Sequence, residues 1–200
     1  MSHSLDVTQN ADWSALAPAG FSVCHHQEIG STNDEALRLV SLGALQGRDG
    51  LWVIADRQTK GRGRQARVWS SESGNFTATA ALPAAPLSAF QAYLPFAVAV
   101  AIGDALAPYL RPNAVLAYKW PNDILVNDKK ISGVLIEATS SGQGLSALVI
   151  GIGINRAFAP SNTLFPATDL AACCVPGGLP LLTELFKDVT HSLSKLLLQL

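Results

Sequence analysis

Five of the chain's fourteen basic residues fall within eleven positions: Arg57, Lys60, Arg62, Arg64 and Arg67. Gly61 and Gly63 are interleaved with them, and glycine lets backbone amides come close to a ligand. Guanidinium forks grip phosphate two-pronged, and successive loop amides form an anion-binding concavity. The plain alternative is a solvated basic loop, as most runs of charge are. The segment is not a Walker A loop, because GxxxxGK[ST] is absent.

A second constellation reads Lys119-Trp120-Pro121-Asn122-Asp123, followed by Lys129-Lys130-Ile131-Ser132-Gly133. The first group ends one predicted strand and turns through Pro121; the second opens the partner strand. That hairpin brings Lys119 and Lys130 to one end of a sheet. Two ammonium groups beside an arginine-rich loop suit a polyanion such as a nucleoside triphosphate. Asn122 and Asp123 offer oxygen ligands for Mg²⁺, which favours one or two carboxylates together with phosphates. Asp123 has an ordinary reading too, as an acid that caps a turn. No Cys/His or Ser/His nucleophile arrangement is evident.

Several elements must position these groups. Ser31-Thr32-Asn33-Asp34-Glu35 starts an amphipathic helix, with hydroxyls at the cap, acids in the first turn and Gly43 as the stop. Thr32 and Glu35 have capping-box spacing. Leu51 to Ala55 reads as a buried strand and Asn75 to Ala80 as an alternating one, while Asp56 to Gly74 between them has neither period. Phe90 to Leu110 reads as a long apolar helix. Val115–Lys119, Ile124–Val126, Ile131–Thr139 and Leu145–Ile154 read as four strands, with turns at Asn127-Asp128 and across Ser140 to Gly144. Leu181 to Leu200 forms a last amphipathic helix. This order indicates an α+β layer architecture. Gly151-Ile152-Gly153 lacks the third glycine of a dinucleotide fingerprint and follows a hairpin strand, so a Rossmann fold is rejected.

Taken together, Ser31-Thr32-Asn33, Gln58 to Arg64, Lys119 to Asp123, Lys130 with Gly133, and Gly151 to Asn155 resemble the motifs of biotin–protein ligases. They occur in that family's order and extend from Glu28 to Asn155. The resemblance implies a mixed, largely antiparallel sheet with helices packed on one face. It also implies an ATP-dependent ligase that uses biotin and MgATP as substrates, with no tightly bound prosthetic group. Such an enzyme forms biotinyl-5′-AMP and passes biotin to a lysine of an acceptor, the biotin-carrier domain of a carboxylase. Residue roles follow by matching motifs. Ser31, Thr32 and Asn33 resemble the partners of the biotin head group, and Gly133 lets a strand approach the biotin rings. Gln58, Arg62, Gly63 and Arg64 look like the loop over the biotin carboxylate and the adenylate phosphate. Lys130 corresponds to the lysine between carboxylate and α-phosphate, and Lys119 to the one facing the triphosphate. Trp69 matches a tryptophan covering the adenylate and Asn155 an adenine reader; Asn122 and Asp123, as oxygen donors, fall to the nucleotide and Mg²⁺ side. One departure is Ala66, where the family commonly has glycine. If that position needs positive φ, alanine costs about 1 kcal/mol there.

Composition bounds the alternatives. Two hundred residues, 48% apolar and 14% charged, fit one globular domain spanning 1–200. Neither an N-terminal winged helix nor a C-terminal SH3-like barrel is expected within it. A net charge of −1 argues against a dedicated nucleic-acid binder and against a polybasic membrane-surface protein. Three cysteines, two of them adjacent, point to reduced thiols in a cytoplasmic protein. The polar N-terminal segment MSHSLDVTQNADW is no signal peptide. The apolar stretch Leu94 to Gly103 falls short of the roughly 18 residues a membrane span needs. Monomer and homodimer stay open at this stage. So do a lipoate or octanoate ligase or transferase of the same fold, which would carry consecutive glycines in the ligand loop, and a binding protein without turnover.

Overall fold

The computed structural model describes residues 11–90, 92–141, 144–161 and 163–199. The expectations for the first ten residues, for the turn at Gly142-Gln143 and for Leu200 lie outside them. Seven strands form one open sheet: β1 (Phe21–Ile29), β2 (Gly50–Gln58), β3 (Phe76–Pro83), β4 (Leu116–Lys119), β5 (Asp123–Val126), β6 (Lys129–Ser141) and β7 (Gly144–Ile154), in the order β1-β2-β3-β7-β6-β5-β4. Only β1 and β2 run parallel; every other neighbouring pair is antiparallel. The helices are α1 (Trp13–Leu16), α2 (Thr32–Ser41), α3 (Leu94–Leu106), α4 (Leu170–Cys173) and α5 (Leu182–Leu197). The α+β architecture and the largely antiparallel sheet therefore stand as expected. The element α2 is the crossover that parallel β1 and β2 require.

Alternation along the strands divides the interior in two. Trp52 and Ile54 of β2, Ala78 and Ala80 of β3, and Ile150 and Ile152 of β7 face one way, into a core completed by α1, α3 and α5. Leu51, Val53, Ala81 and Val149 face the other way, against Ala36, Leu37 and Val40 of α2. Packing on one face thus holds for α1, α3 and α5, and α2 corrects it by covering part of the opposite face. Period-2 strands with apolar residues at both phases leave two faces to bury, and one helix layer covers only one. Eight residues of α3 are buried, which explains why its sequence is apolar nearly all round.

Local chemistry sets the boundaries of α2. Ser31 is extended, and its hydroxyl accepts from the Asp34 backbone N–H. Gly43 follows the helix with φ of +84°, a conformation glycine adopts without strain. The expected Thr32–Glu35 capping box is not formed. Glu35 pairs with Arg38 one turn on, which pulls its carboxyl below the usual value, and Thr32 is engaged elsewhere. Three elements were not foreseen: β1, α1 and α4. The β1 sequence mixes Cys24, His25 and His26 at an open edge and shows no clean period, and the two helices are four residues each.

At the centre of the larger core, the Phe186 ring meets Trp13 and Trp52 edge-on, with centroids 5.4 and 5.3 Å apart. Phe186 is fully buried. Phe186→Ala should lower unfolding free energy by about 3–5 kcal/mol. A urea titration checks this; a midpoint unchanged from the parent chain would contradict the packing of the three rings.

Candidate active site

The face that α2 leaves uncovered carries a cleft of about 930 Å³. Its floor is bare backbone. Gly133 and Gly153 lie opposite each other on β6 and β7, and Gly151 is paired with Leu135. A Cβ on Gly151 would stand 2.2 Å from Asn33 Oδ1, and one on Gly153 would stand 2.4 Å from the Trp69 ring. The missing side chains let both residues come up against the sheet backbone. Every residue given a ligand role from the sequence lines this one cleft: Ser31, Thr32, Asn33, Gln58, Arg62, Gly63, Arg64, Trp69, Lys119, Asn122, Asp123, Lys130, Gly133 and Asn155. Arg57 and Lys60 of the basic run are not part of its lining, and Arg57 pairs with Glu28 instead.

The glycine–arginine segment is more ordered than its lack of period implies. Arg62 bridges Val68 in antiparallel fashion, Gly63 N–H donates to Arg67 O, and Trp69 N–H donates to Gly61 O. These contacts make a small hairpin whose two tip residues, Gln65 and Ala66, both have φ of +56°. Positive φ at both central positions is the geometry that prefers Asn-Gly. The position where Ala66 departs from the family's glycine therefore does lie in the left-handed region.

The polar side chains of the cleft are closely tied. Gln58 Oε1 accepts from both the N–H and the hydroxyl of Thr32, at 2.8 and 3.0 Å. Thr79 Oγ1 lies 2.7 Å from both Thr32 Oγ1 and Asn33 Oδ1. Asn33 Nδ2 donates to Glu137 Oε2 at 2.8 Å. Arg62 donates to both oxygens of Glu137, at 2.9 and 3.3 Å, and also pairs with Asp34. Those carboxylates, Glu137 foremost, hold the guanidinium above its ordinary pKa. Lys130 Nζ donates to Asp123 Oδ1 at 2.6 Å and stands 5.5 Å from the Trp69 ring. Lys119 Nζ lies 3.7 Å from the Phe165 ring centre. Arg64 reaches Asn122 Oδ1 at 3.4 Å, while Asn122 Nδ2 donates to Val134 O at 2.7 Å. Asn155 Nδ2 donates to Thr168 O at 3.0 Å.

Asp123 is thus first of all the partner of Lys130. No group of three or more His, Cys, Asp or Glu that could hold a metal occurs among the described residues. Asp123 and the Asn122 carbonyl oxygen remain donors of the type that Mg²⁺ accepts alongside phosphates. Five cations line the cleft (Arg62, Arg64, Arg67, Lys119 and Lys130), against Asp123 as the one carboxylate among the described lining residues. Such an imbalance raises the local concentration of an anion. Sequence reasoning did not find Glu137, Asp34, Thr79 or Phe165. A glutamate at an inward phase of an apolar strand was the available signal for Glu137.

Fold and cleft together define an α+β domain with an open, largely antiparallel sheet as the floor of a cation-lined cleft. The sequence profile of the biotin/lipoate A/B protein ligase family matches residues 28–155. The chain belongs to that family. It is 45% identical over 130 residues to the biotin–[acetyl-CoA-carboxylase] ligase of Paracoccus denitrificans, covering 65% of this chain and 52% of that protein. It is 36% identical over 155 residues to the bifunctional ligase/repressor BirA of Bacillus subtilis, covering 76% and 46%. Hence the chain spans about half the length of these curated relatives. Among solved structures, the biotin protein ligase of Leishmania major in complex with biotinyl-5-AMP superposes with a TM-score of 0.65 at 30% identity, covering 91% of this chain and 79% of that one. The Aquifex aeolicus biotin protein ligase in complex with biotin and ATP gives 0.66 at 28% identity, covering 87% and 71%.

The strained hairpin tip makes a direct prediction. Ala66→Gly should relieve about 1 kcal/mol of left-handed strain and raise Tm by about 2–4 °C. Differential scanning calorimetry measures it, and an unchanged or lowered Tm would refute the assigned tip geometry.

Proposed function

We propose that the chain is the catalytic domain of an ATP-dependent biotin–protein ligase. The observation that carries this reading is the convergence of the family-like motifs on one cleft whose described lining holds five cations and one carboxylate, with Glu137 and Asp34 paired to Arg62 behind it. Biotin's carboxylate and the α-phosphate of ATP must come within bonding distance, and both are anions. Two unit charges 4 Å apart repel by about 4 kcal/mol at an effective dielectric near 20. A fixed cation between them offsets that cost without reorganising during the reaction. Lys130 takes this place. Its link to Asp123 fixes the ammonium, and Trp69 on the glycine floor walls off the same region.

In the first step a biotin carboxylate oxygen forms a bond to the α-phosphorus. The bond from that phosphorus to the bridging oxygen breaks, and pyrophosphate departs with the electron pair. Lys119 faces the triphosphate and neutralises the departing charge. Mg²⁺ arrives as part of the nucleotide substrate, with Asp123 and Asn122 as the oxygen donors that would meet it. Arg64, with no ion pair among the described residues and an uncharged partner in Asn122, supplies the loop's cation to the phosphate side, and the Gly63 segment lets backbone approach. Ser31, Thr32, Asn33, Gln58 and Gly133 shape the biotin end, and Asn155 reads the adenine edge. In the second step the amine of an acceptor lysine attacks the acyl carbon and AMP leaves. A carboxylase biotin-carrier domain is the acceptor this reading implies, in the cytoplasm, where ATP is available. No helix of the described residues is long and apolar enough to cross a membrane.

Isotopic exchange between pyrophosphate and ATP tests the reading. Exchange should require biotin and Mg²⁺, and lipoate should not replace biotin; equal rates with both acids would overturn it. Lys130→Ala should slow adenylate formation by about 10²–10³-fold, with a much smaller loss in transfer from supplied biotinyl-5′-AMP. Near-parental exchange in the folded variant would show that Lys130 does not bridge the two anions.

A further inference from the structure

Glu137 lies on β6 and belongs to none of the motifs in the sequence. Its carboxylate nevertheless joins three elements. Oε2 accepts from Asn33 Nδ2 on α2, and both oxygens accept from Arg62 on the hairpin. Asn33 reaches β6 by crossing β7 where Gly151 leaves room. Thr79 on β3, on the other side of β7, lies against the Asn33 carbonyl oxygen. A carboxylate accepts hydrogen bonds and does not donate them, so Glu137 turns the Asn33 amide with its NH₂ toward β6 and its oxygen toward Thr79. Asn33 and Thr79 are buried, and the carboxylate and guanidinium are only 27% and 34% exposed. A two-pronged, partly shielded pair of this kind is among the stronger charged contacts.

Arg62 is therefore already occupied. Its guanidinium meets two carboxylates, Glu137 and Asp34, which leaves less positive charge for a ligand than the sequence motif implies. Arg64 makes no ion pair among the described residues and meets only the Asn122 amide. We propose that Glu137 is a positioning residue that anchors the hairpin through Arg62 and orients Asn33, so that Arg62 serves as the hairpin's strut and Arg64 as its anion-facing arginine. The ligand-site part of this statement rests on the biotin-ligase reading; the anchoring part does not.

The experiment separates the two. Ligand-free Glu137→Gln, Arg62→Gln and the double variant are exposed to trypsin under native conditions, and cleavage after Arg64 and Arg67 is followed by mass spectrometry. Each single variant should be cut about tenfold faster than the parent, and the double variant no faster than Arg62→Gln alone, because Arg62→Gln already removes the Glu137 contact together with the one to Asp34. Unchanged cutting, or independent and multiplying effects, would overturn the anchor. In pyrophosphate exchange, Glu137→Gln should raise the biotin KM about tenfold with kcat within threefold, whereas Arg64→Gln should lower kcat. A fall in kcat alone for Glu137→Gln would overturn the positioning role. If no acid supports exchange in the parent chain, the ligase reading fails and the trypsin result still decides the anchor. If Glu137→Gln does not fold, Arg62→Gln decides by itself: cutting after Arg64 at the parental rate overturns the proposal.

Discussion

The site depends on a strip of sheet that carries no side chains. Gly133, Gly151 and Gly153 leave bare backbone on adjacent strands at the middle of a seven-stranded sheet. Elsewhere on the same face, Val149 and Ala81 are buried under α2. Beyond Val149 the side chains disappear, and the helix gives way to a cleft. Asn33 and Trp69 occupy the room thus opened, one across Gly151 and the other on Gly153. Any Cβ at these two positions would overlap a polar amide or an indole ring, so the geometry of both depends directly on residue type in β7. The opposite face of the same strands, with Ile150, Ile152 and Ile154, is fully buried core. One strand therefore serves rigidity on one side and access on the other, which strand alternation permits.

Charge is handled in the same economical way. Cations crowded around a cleft repel each other and destabilise the unliganded state unless each is restrained. Lys130 has Asp123, Arg62 has Glu137 and Asp34, and Lys119 lies over the Phe165 ring. These contacts hold the groups in place before an anion arrives, which lowers the ordering cost of binding. They differ in what they leave available. A lysine over a ring face keeps its full positive charge, a lysine with one carboxylate makes a neutral pair whose ammonium still has N–H donors to offer, and an arginine between two carboxylates is net negative as a group. Equal residue types in one motif thus acquire unequal functions from their surroundings.

The line between what is legible in the sequence and what is not follows sequence distance. Ser31-Thr32-Asn33, the glycine–arginine run and the Lys119 and Lys130 groups are local patterns, and each can be read without knowing the fold. Glu137 cannot be read in that way, because its partners Arg62 and Asn33 lie 75 and 104 positions away. The start of α2 is legible to within a residue, but its cap is not: Ser31 and Thr32 both carry hydroxyls, and only tertiary structure sends Thr32 to Gln58 and Thr79. The strand β1 escapes because an edge strand need not alternate cleanly. The layer that α2 joins is hidden too, because periodicity identifies a buried stripe without saying which sheet face it meets.

The hairpin tip shows why a chemically readable loop hid its shape. Two-residue turns with both φ values positive are recognised in sequences by Asn-Gly or Asp-Gly, and here Gln65 and Ala66 stand in those places. Nothing in Gln-Ala suggests a turn. The conformation is imposed from outside: Trp69 N–H is bonded to Gly61 O, Gly63 N–H to Arg67 O, and Arg62 to Glu137. Once the two arms are fixed at the indole and at the guanidinium, four residues, Arg64 to Arg67, must reverse the chain. The tip then adopts the left-handed conformation whatever its side chains prefer. Strain at Ala66 is the consequence of anchoring at Gly61, Arg62 and Trp69, and the tertiary contacts of those three residues outweigh the local preference of the tip.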